Sequence, residues 1–123
     1  MVARESTSVV PPDDPIAADA VRYIRAHACR GIGVVDVAAA IDVSRRTLEL
    51  HLTRALGRTP REEIRRVQLE RASHLLADTS LKIAAVATRS GFGHLQRLVA
   101  EFRKAHGMTP TAYRRQFRRD EEE

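Results

Sequence analysis

Residues 86–110 read "VATRSGFGHLQRLVAEFRKAHGMTP", and the glycine pair inside this stretch decides the fold. Gly91 and Gly93 bracket Phe92, and a strongly helix-forming run follows. A phosphate-binding Gly-x-Gly-x-x-Gly loop would need a third glycine at position 96 and a strand before it, and would point to an enzyme. A turn between two helices would need one residue that accepts positive φ and one apolar plug. Position 96 is Gln, and no alternating strand pattern precedes Gly91. Gly91 and Phe92 fit the turn, with Phe92 expected to plug it into the core.

The same unit occurs earlier in the chain. Val34, Val37, Ala38 and Val43 recur as Ile83, Val86, Ala87 and Phe92, each 49 positions later. Beyond the turn the offset becomes 50: Leu48 recurs as Leu98, Leu52 as Phe102, Gly57 as Gly107, and Thr59-Pro60 as Thr109-Pro110. One extra residue in the second turn explains the change. Asp42 takes the place of Gly91, and Asp tolerates the left-handed conformation better than most residues. Each unit is a short helix, a tight turn, a longer helix, a glycine stop and a Thr-Pro cap, which is helix-turn-helix organisation.

Capping signals set the remaining boundaries. Asp13 or Asp14 caps a first helix with Pro15 at its first position, carrying Ile16, Ala20, Tyr23, Ile24 and Ala28 and ended by Gly31 and Gly33. Helices follow over Val34–Ile41 and Arg45–Leu56, the second capped by Ser44. Thr59-Pro60-Arg61-Glu62 is a capping box that launches a long helix to about Ala77, packed to both units through Ile64, Leu69, Ala72, Leu75 and Leu76. A break at Asp78-Thr79-Ser80 precedes helices from Ile83 to Arg89, from the turn through Ala105, and from Pro110 with Tyr113 and Phe117. The expectation is an all-α chain of about seven helices: a disordered linker or tail over 1–12, a first helix-turn-helix subdomain over 13–59, a linker helix over 60–78, a second subdomain over 79–118, and a charged tail over 119–123.

Composition narrows the function. The 123 residues suit one domain or two very small ones, and 43% hydrophobic content with 4% aromatic residues and no Trp implies a thin aliphatic core. The formal net charge is +5, and among the 21 basic residues only Lys82 and Lys104 are lysine. Such a surface suits a polyanion, because arginine forks bind phosphates and guanine edges in pairs. Cys29 is the sole cysteine, so neither an internal disulfide nor a Cys-x-x-Cys metal or redox motif exists. No His-x-x-x-His or His-Glu-x-x-His spacing occurs. No catalytic residue, metal or cofactor is expected, and Cys29 reads as a buried inert thiol. No apolar run approaches the ~18 residues of a membrane span, nor does the start resemble a secretion signal, so no membrane partner and a cytoplasmic location are expected.

Taken in order, Gln68-Leu69-x-x-Ala72, Ile83-x-x-Val86-Ala87, Gly91-Phe92, Leu98-x-x-x-Phe102-Arg103-Lys104, Gly107-Met108-Thr109-Pro110 and Tyr113-Arg114 resemble the DNA-binding domain of the AraC/XylS family of bacterial transcription regulators. The resemblance covers residues 15 to about 118. "DDPIAADAVRYIRAHACRGIGV" and "VSRRTLEL" look closest to the xylose operon regulator branch, whose members carry a sugar-sensing domain N-terminal to this module. No such domain fits in residues 1–14. The resemblance implies the C-terminal fragment of a sugar-responsive operon regulator, the alternative being a stand-alone module. It implies operator DNA as partner, RNA polymerase as a candidate second partner, and a sugar effector acting only through an N-terminal domain. Asp42 departs from the commoner turn glycine, and Leu50 and Ala100 stand where many members have a polar or basic residue.

A recognition helix presents its N-terminal outward side chains to the major groove. With Leu48 and Leu52 inward, Arg45, Arg46 and Glu49 face out, and Arg46 and Glu49 match the family's base-contacting positions. Arg suits guanine and Glu the cytosine amino group; alternatively, Arg46 and Glu49 form a surface ion pair. With Leu98 and Phe102 inward, His94, Gln96 and Arg97 face out, and Gln suits adenine. Leu95 is either a thymine-methyl contact or core. Ser44 and the first amides of either helix can donate to phosphate. Arg54, Arg58, Arg61, Arg103 and Lys104 read as structural or peripheral. The rival function is a helical protein-protein module without DNA binding, which would need an exposed apolar groove.

Overall fold

The computed structural model describes residues 14–118. Asp13 and the two expected tails, 1–12 and 119–123, lie outside the described residues. Among the described residues seven α-helices follow in order: α1 (Pro15–His27), α2 (Val34–Ala40), α3 (Arg45–Leu56), α4 (Pro60–Asp78), α5 (Ile83–Arg89), α6 (Leu95–His106) and α7 (Pro110–Phe117). There is no strand among the described residues.

The caps form for the reasons the sequence offers. Asp14 accepts from the Ala17 amide at 3.1 Å, with Pro15 opening the helix. At α4 the Glu62 amide donates to Thr59 Oγ1 at 3.1 Å and the Thr59 amide to Glu62 Oε1 at 2.9 Å. Thr109 repeats the first of these bonds, accepting from the Ala112 amide at 3.1 Å. The repeat also holds at the turns. Asp42 and Gly91 have φ of 61° and 97°, and Val43 and Phe92 donate to Ala38 and Ala87 at 3.0 and 2.9 Å. Gly93, with φ 82°, is the extra residue of the second turn.

Some boundaries differ from the sequence expectation. The α-helical part of α1 stops at His27, and a 3-10 turn over Ala28–Arg30 leads to Gly31 at φ 85°. Helix α2 ends at Ala40, one residue early. Helix α4 fills the expected 60–78 span, one residue beyond Ala77, because the Thr79 hydroxyl and amide both donate to the Leu75 carbonyl and set the break at Thr79. Helix α6 extends to His106.

Two apolar clusters form. Ala17, Ala20, Ile24, Val37, Leu48, Leu52 and Ile64 make the first, and Ala72, Leu76, Val86, Phe92, Leu98 and Phe102 the second. Each fully buried Leu, Ile or Phe contributes about 1.5–3 kcal/mol. Helix α4 serves both, Ile64 in one cluster and Leu69, Ala72, Leu75 and Leu76 in the other. Its C-terminal end is closed by α7: Arg114 donates to the Leu76 and Thr79 carbonyls at 3.0 and 3.1 Å.

Candidate nucleic-acid interface

The second helix of each unit exposes its first turn. On α3, Leu48 and Leu52 are fully buried, which turns Arg45, Arg46 and Glu49 to solvent. On α6, Leu98 and Phe102 do the same for Gln96 and Arg97, with His94 exposed at the N-cap. Every side chain singled out on these helices thus lies outward. Leu95, for which two roles stood open, is 41% exposed, and Leu50 is 53% exposed.

Their bonding differs in detail. Glu49 pairs with Arg45, not with Arg46, at 3.2 Å. This i,i+4 pair is exposed and worth about 0.3–0.5 kcal/mol, so it yields readily to a stronger partner. Arg46 makes no ion pair among the described residues. Ser44 Oγ accepts from the Thr47 amide at 3.0 Å and donates to Thr47 Oγ1 at 2.9 Å, so its hydroxyl is engaged within the helix start. His94 caps α6 without a side-chain bond, which leaves its ring free.

Arg45 of α3 and Arg97 of α6 line one open cleft of about 600 Å³ between the two units, together with Arg61, Arg65 and Phe92. Arg65 carried no expectation from sequence. Burial, then the nearby Arg97 and Arg61, pull it below the ordinary arginine range against the attraction of Glu101. Its signal in the sequence is only the i,i+4 spacing to Arg61 on one face of α4.

The units are also joined directly. Gln68, 3% exposed, donates from Nε2 to the Ala28 carbonyl at 2.9 Å and lies 3.5 Å from the Gly91 carbonyl. A Cβ on Gly91 would stand 2.8 Å from both the Ala28 oxygen and Gln68 Nε2. The second turn therefore packs on the end of α1, and only glycine permits that approach.

Other polar groups serve structure. Glu63, 1% exposed, binds Arg58 at 2.7 Å and Arg66 at 2.8 Å. Arg58, read as structural or peripheral, is thus structural. Cys29 is half-buried where full burial was expected, and that burial still pushes its thiol up against the pull of Arg71. No group of three or more His, Cys, Asp or Glu able to hold a metal exists among the described residues. No described helix is long and apolar enough to cross a membrane.

A family profile described as a helix-turn-helix domain matches residues 37–116. The xylose operon regulatory protein of Escherichia coli (strain K12) is 37% identical over 114 residues, 93% of this chain and 29% of that protein. Its namesake in Haemophilus influenzae is 30% identical over 112 residues, 91% of this chain and 29% of that protein. Among solved structures, the xylose-binding transcription activator xylR superposes with a TM-score of 0.78 at 36% identity, over 96% of this chain and 31% of that one. The DNA-binding domain of the global transcriptional factor AdpA, solved in complex with a target DNA, superposes with a TM-score of 0.79 at 28% identity, over 85% of this chain and 94% of that one. The chain spans about 29% of the length of the curated relatives it matches.

Proposed function

We propose that this chain, which belongs to the AraC/XylS family of helix-turn-helix DNA-binding domains, reads an operator through two successive major-groove segments, with α3 in one and α6 in the next. The observation that carries this reading is the shared cleft: Arg45 and Arg97, one from each second helix, open onto the same side of the molecule. Two helices so presented suit grooves one helical turn apart on one face of DNA.

Roles follow from chemistry and exposure. Arg46 and Arg97 fork onto guanine, Gln96 pairs with adenine, and Glu49 accepts from a cytosine amino group once released from Arg45. His94 and the α3 amides beside Ser44 meet phosphate. As part of a longer regulator, the module would serve a sugar-responsive operon, in keeping with the xylose operon regulators it resembles; we place it in the cytoplasm, with the sugar acting through another domain and RNA polymerase as a further partner.

The test is to recover genomic DNA fragments bound by this chain and titrate the enriched sequence against a scrambled duplex by fluorescence anisotropy. At least a hundredfold preference for the enriched sequence is expected. Equal affinity for both would overturn sequence-specific reading.

A further inference from the structure

The cleft between the units holds more positive charge than base reading needs. Arg61 and Arg65 of α4 enter it beside Arg45 and Arg97. Among the described residues, two carboxylates pair with these four arginines: Glu101, 3.8 Å from Arg65 Nε, and Glu49, 3.2 Å from Arg45 Nε. Among the described residues, Arg61 and Arg97 have no ion-pair partner. Like charges gathered around an open cleft raise the free energy of the unbound protein and favour an anion there.

Arg65 is also held in place. Its Nη1 donates to Gln68 Oε1 at 2.9 Å, and its guanidinium carbon lies 5.2 Å from the centre of the Phe92 ring. A guanidinium fixed in this way loses little freedom on meeting phosphate, which it can bind with two parallel bonds. Arg61 is exposed one turn earlier on the same helix.

Position then selects the ligand. Two major-groove segments on one face of DNA are separated by a minor groove about 6 Å wide, walled by two sugar-phosphate strands. Of the two helices between α3 and α6 in the chain, it is α4 that lines the cleft they share, through Arg61, Ile64, Arg65 and Gln68. We propose that Arg61 and Arg65, with Arg97 at their edge, form a phosphate clamp that grips the DNA backbone bordering this central minor groove. The clamp fixes register and adds affinity, and it reads no base. It rests on the DNA-binding reading above.

Ethylation interference on the duplex that this chain enriches tests the clamp, using the whole chain, Arg61→Ala, Arg61→Lys and Arg65→Gln, with circular dichroism as the folding control. The unaltered chain should show interference at one or more phosphates midway between its two base-contact tracts. Arg61→Ala should lose part of that central signal, keep both tracts, bind about tenfold more weakly at low salt, and flatten the log K against log[salt] slope by about 1. Arg61→Lys should restore the slope. Silent central phosphates in the unaltered chain would overturn the clamp, as would central interference and slope unchanged in both Arg61→Ala and folded Arg65→Gln. Titration calorimetry with inorganic phosphate separates a free anion from DNA. Saturable binding lost in Arg61→Ala, without central interference, would reassign the cleft to a soluble phosphate. If the unaltered chain bound no duplex at all, the DNA reading would fall and the clamp with it. Loss of the central signal alone leaves that reading standing.

Discussion

Gln68 of the linker helix donates its side-chain amide to the backbone carbonyl of Ala28, 40 positions earlier, at 2.9 Å. The same amide lies 3.5 Å from the Gly91 carbonyl, and its oxygen accepts from Arg65 at 2.9 Å. A single buried side chain thus touches the end of α1, the turn of the second unit and the proposed clamp. A direct contact therefore joins the two units beside the covalent link through α4.

Gln68→Ala leaves the Ala28 carbonyl without this partner and should lower stability by about 1–3 kcal/mol, read from the urea midpoint. Affinity for a two-segment duplex should fall about tenfold, or about 1.4 kcal/mol. Lowered stability with unchanged affinity in the folded variant would show that Gln68 does not set the spacing.

Gly91→Ala should be far more damaging than Gly107→Ala. Both glycines have positive φ, but an added Cβ at Gly91 meets backbone and Gln68 at 2.8 Å, while at Gly107 it meets nothing within 4 Å. The expected losses are about 2–4 kcal/mol at Gly91 and about 1 kcal/mol at Gly107. Thermal unfolding compares the two, and equal losses would contradict the close approach of the units.

Glu63 should make stability depend on acid pH. Burial alone would raise its carboxyl, but the hydrogen bonds and charges of Arg66 and Arg58 outweigh burial and hold it below the ordinary 4.5. A carboxyl with a depressed folded pKa takes up its proton more readily when unfolded. Its contribution is complete above the unfolded value and is lost as pH falls through the folded one. Asp14, also held low, by the Ala17 amide against a smaller opposing effect of burial, adds in the same direction. Midpoints measured between about pH 6 and 3 should drop below about 4.5. Glu63→Gln should weaken that drop and cost about 2–3 kcal/mol at neutral pH, toward the low end for a broken buried pair because both arginines reach solvent.

Arg46→Ala and Arg97→Ala should each cost roughly 1–3 kcal/mol on the enriched site and relax the preference at one base position. A binding-site selection repeated with each variant reads the change. Equal losses on enriched and random duplexes would reassign these side chains to phosphate.

Much of this was legible in the sequence, for identifiable reasons. Asp14, Ser44, Thr59 and Thr109 announce helix starts through bonds from the amide three positions on, and such local bonds need no tertiary information. The 49- and 50-residue offsets placed Asp42 and Gly91 at equivalent turns, and both have positive φ. In helix α4 the apolar contacts were legible: Ile64 packs on one cluster and Leu69, Ala72, Leu75 and Leu76 on the other, as expected, whereas its buried polar side chains were not. Glu63 and Gln68 are buried because partners distant in sequence or on a neighbouring turn satisfy them, which periodicity cannot reveal. Arg65 gains its place from Phe92, Gln68 and Glu101, which meet only in the folded chain. Arg46 and Glu49 looked like an alternative ion pair, yet the i,i+4 geometry favoured Arg45 with Glu49.

Hydroxyl-radical footprinting of this chain on the duplex it enriches, at several salt concentrations, tests two-groove reading most directly. Two protected tracts are predicted on one face of the DNA, centred about one helical turn or ~34 Å apart. The logarithm of affinity should fall against log[salt] with a slope of about 0.9 per phosphate neutralised. A single protected tract, protections on opposite faces, or affinity indifferent to salt would contradict the assignment of α3 and α6 to successive major-groove segments.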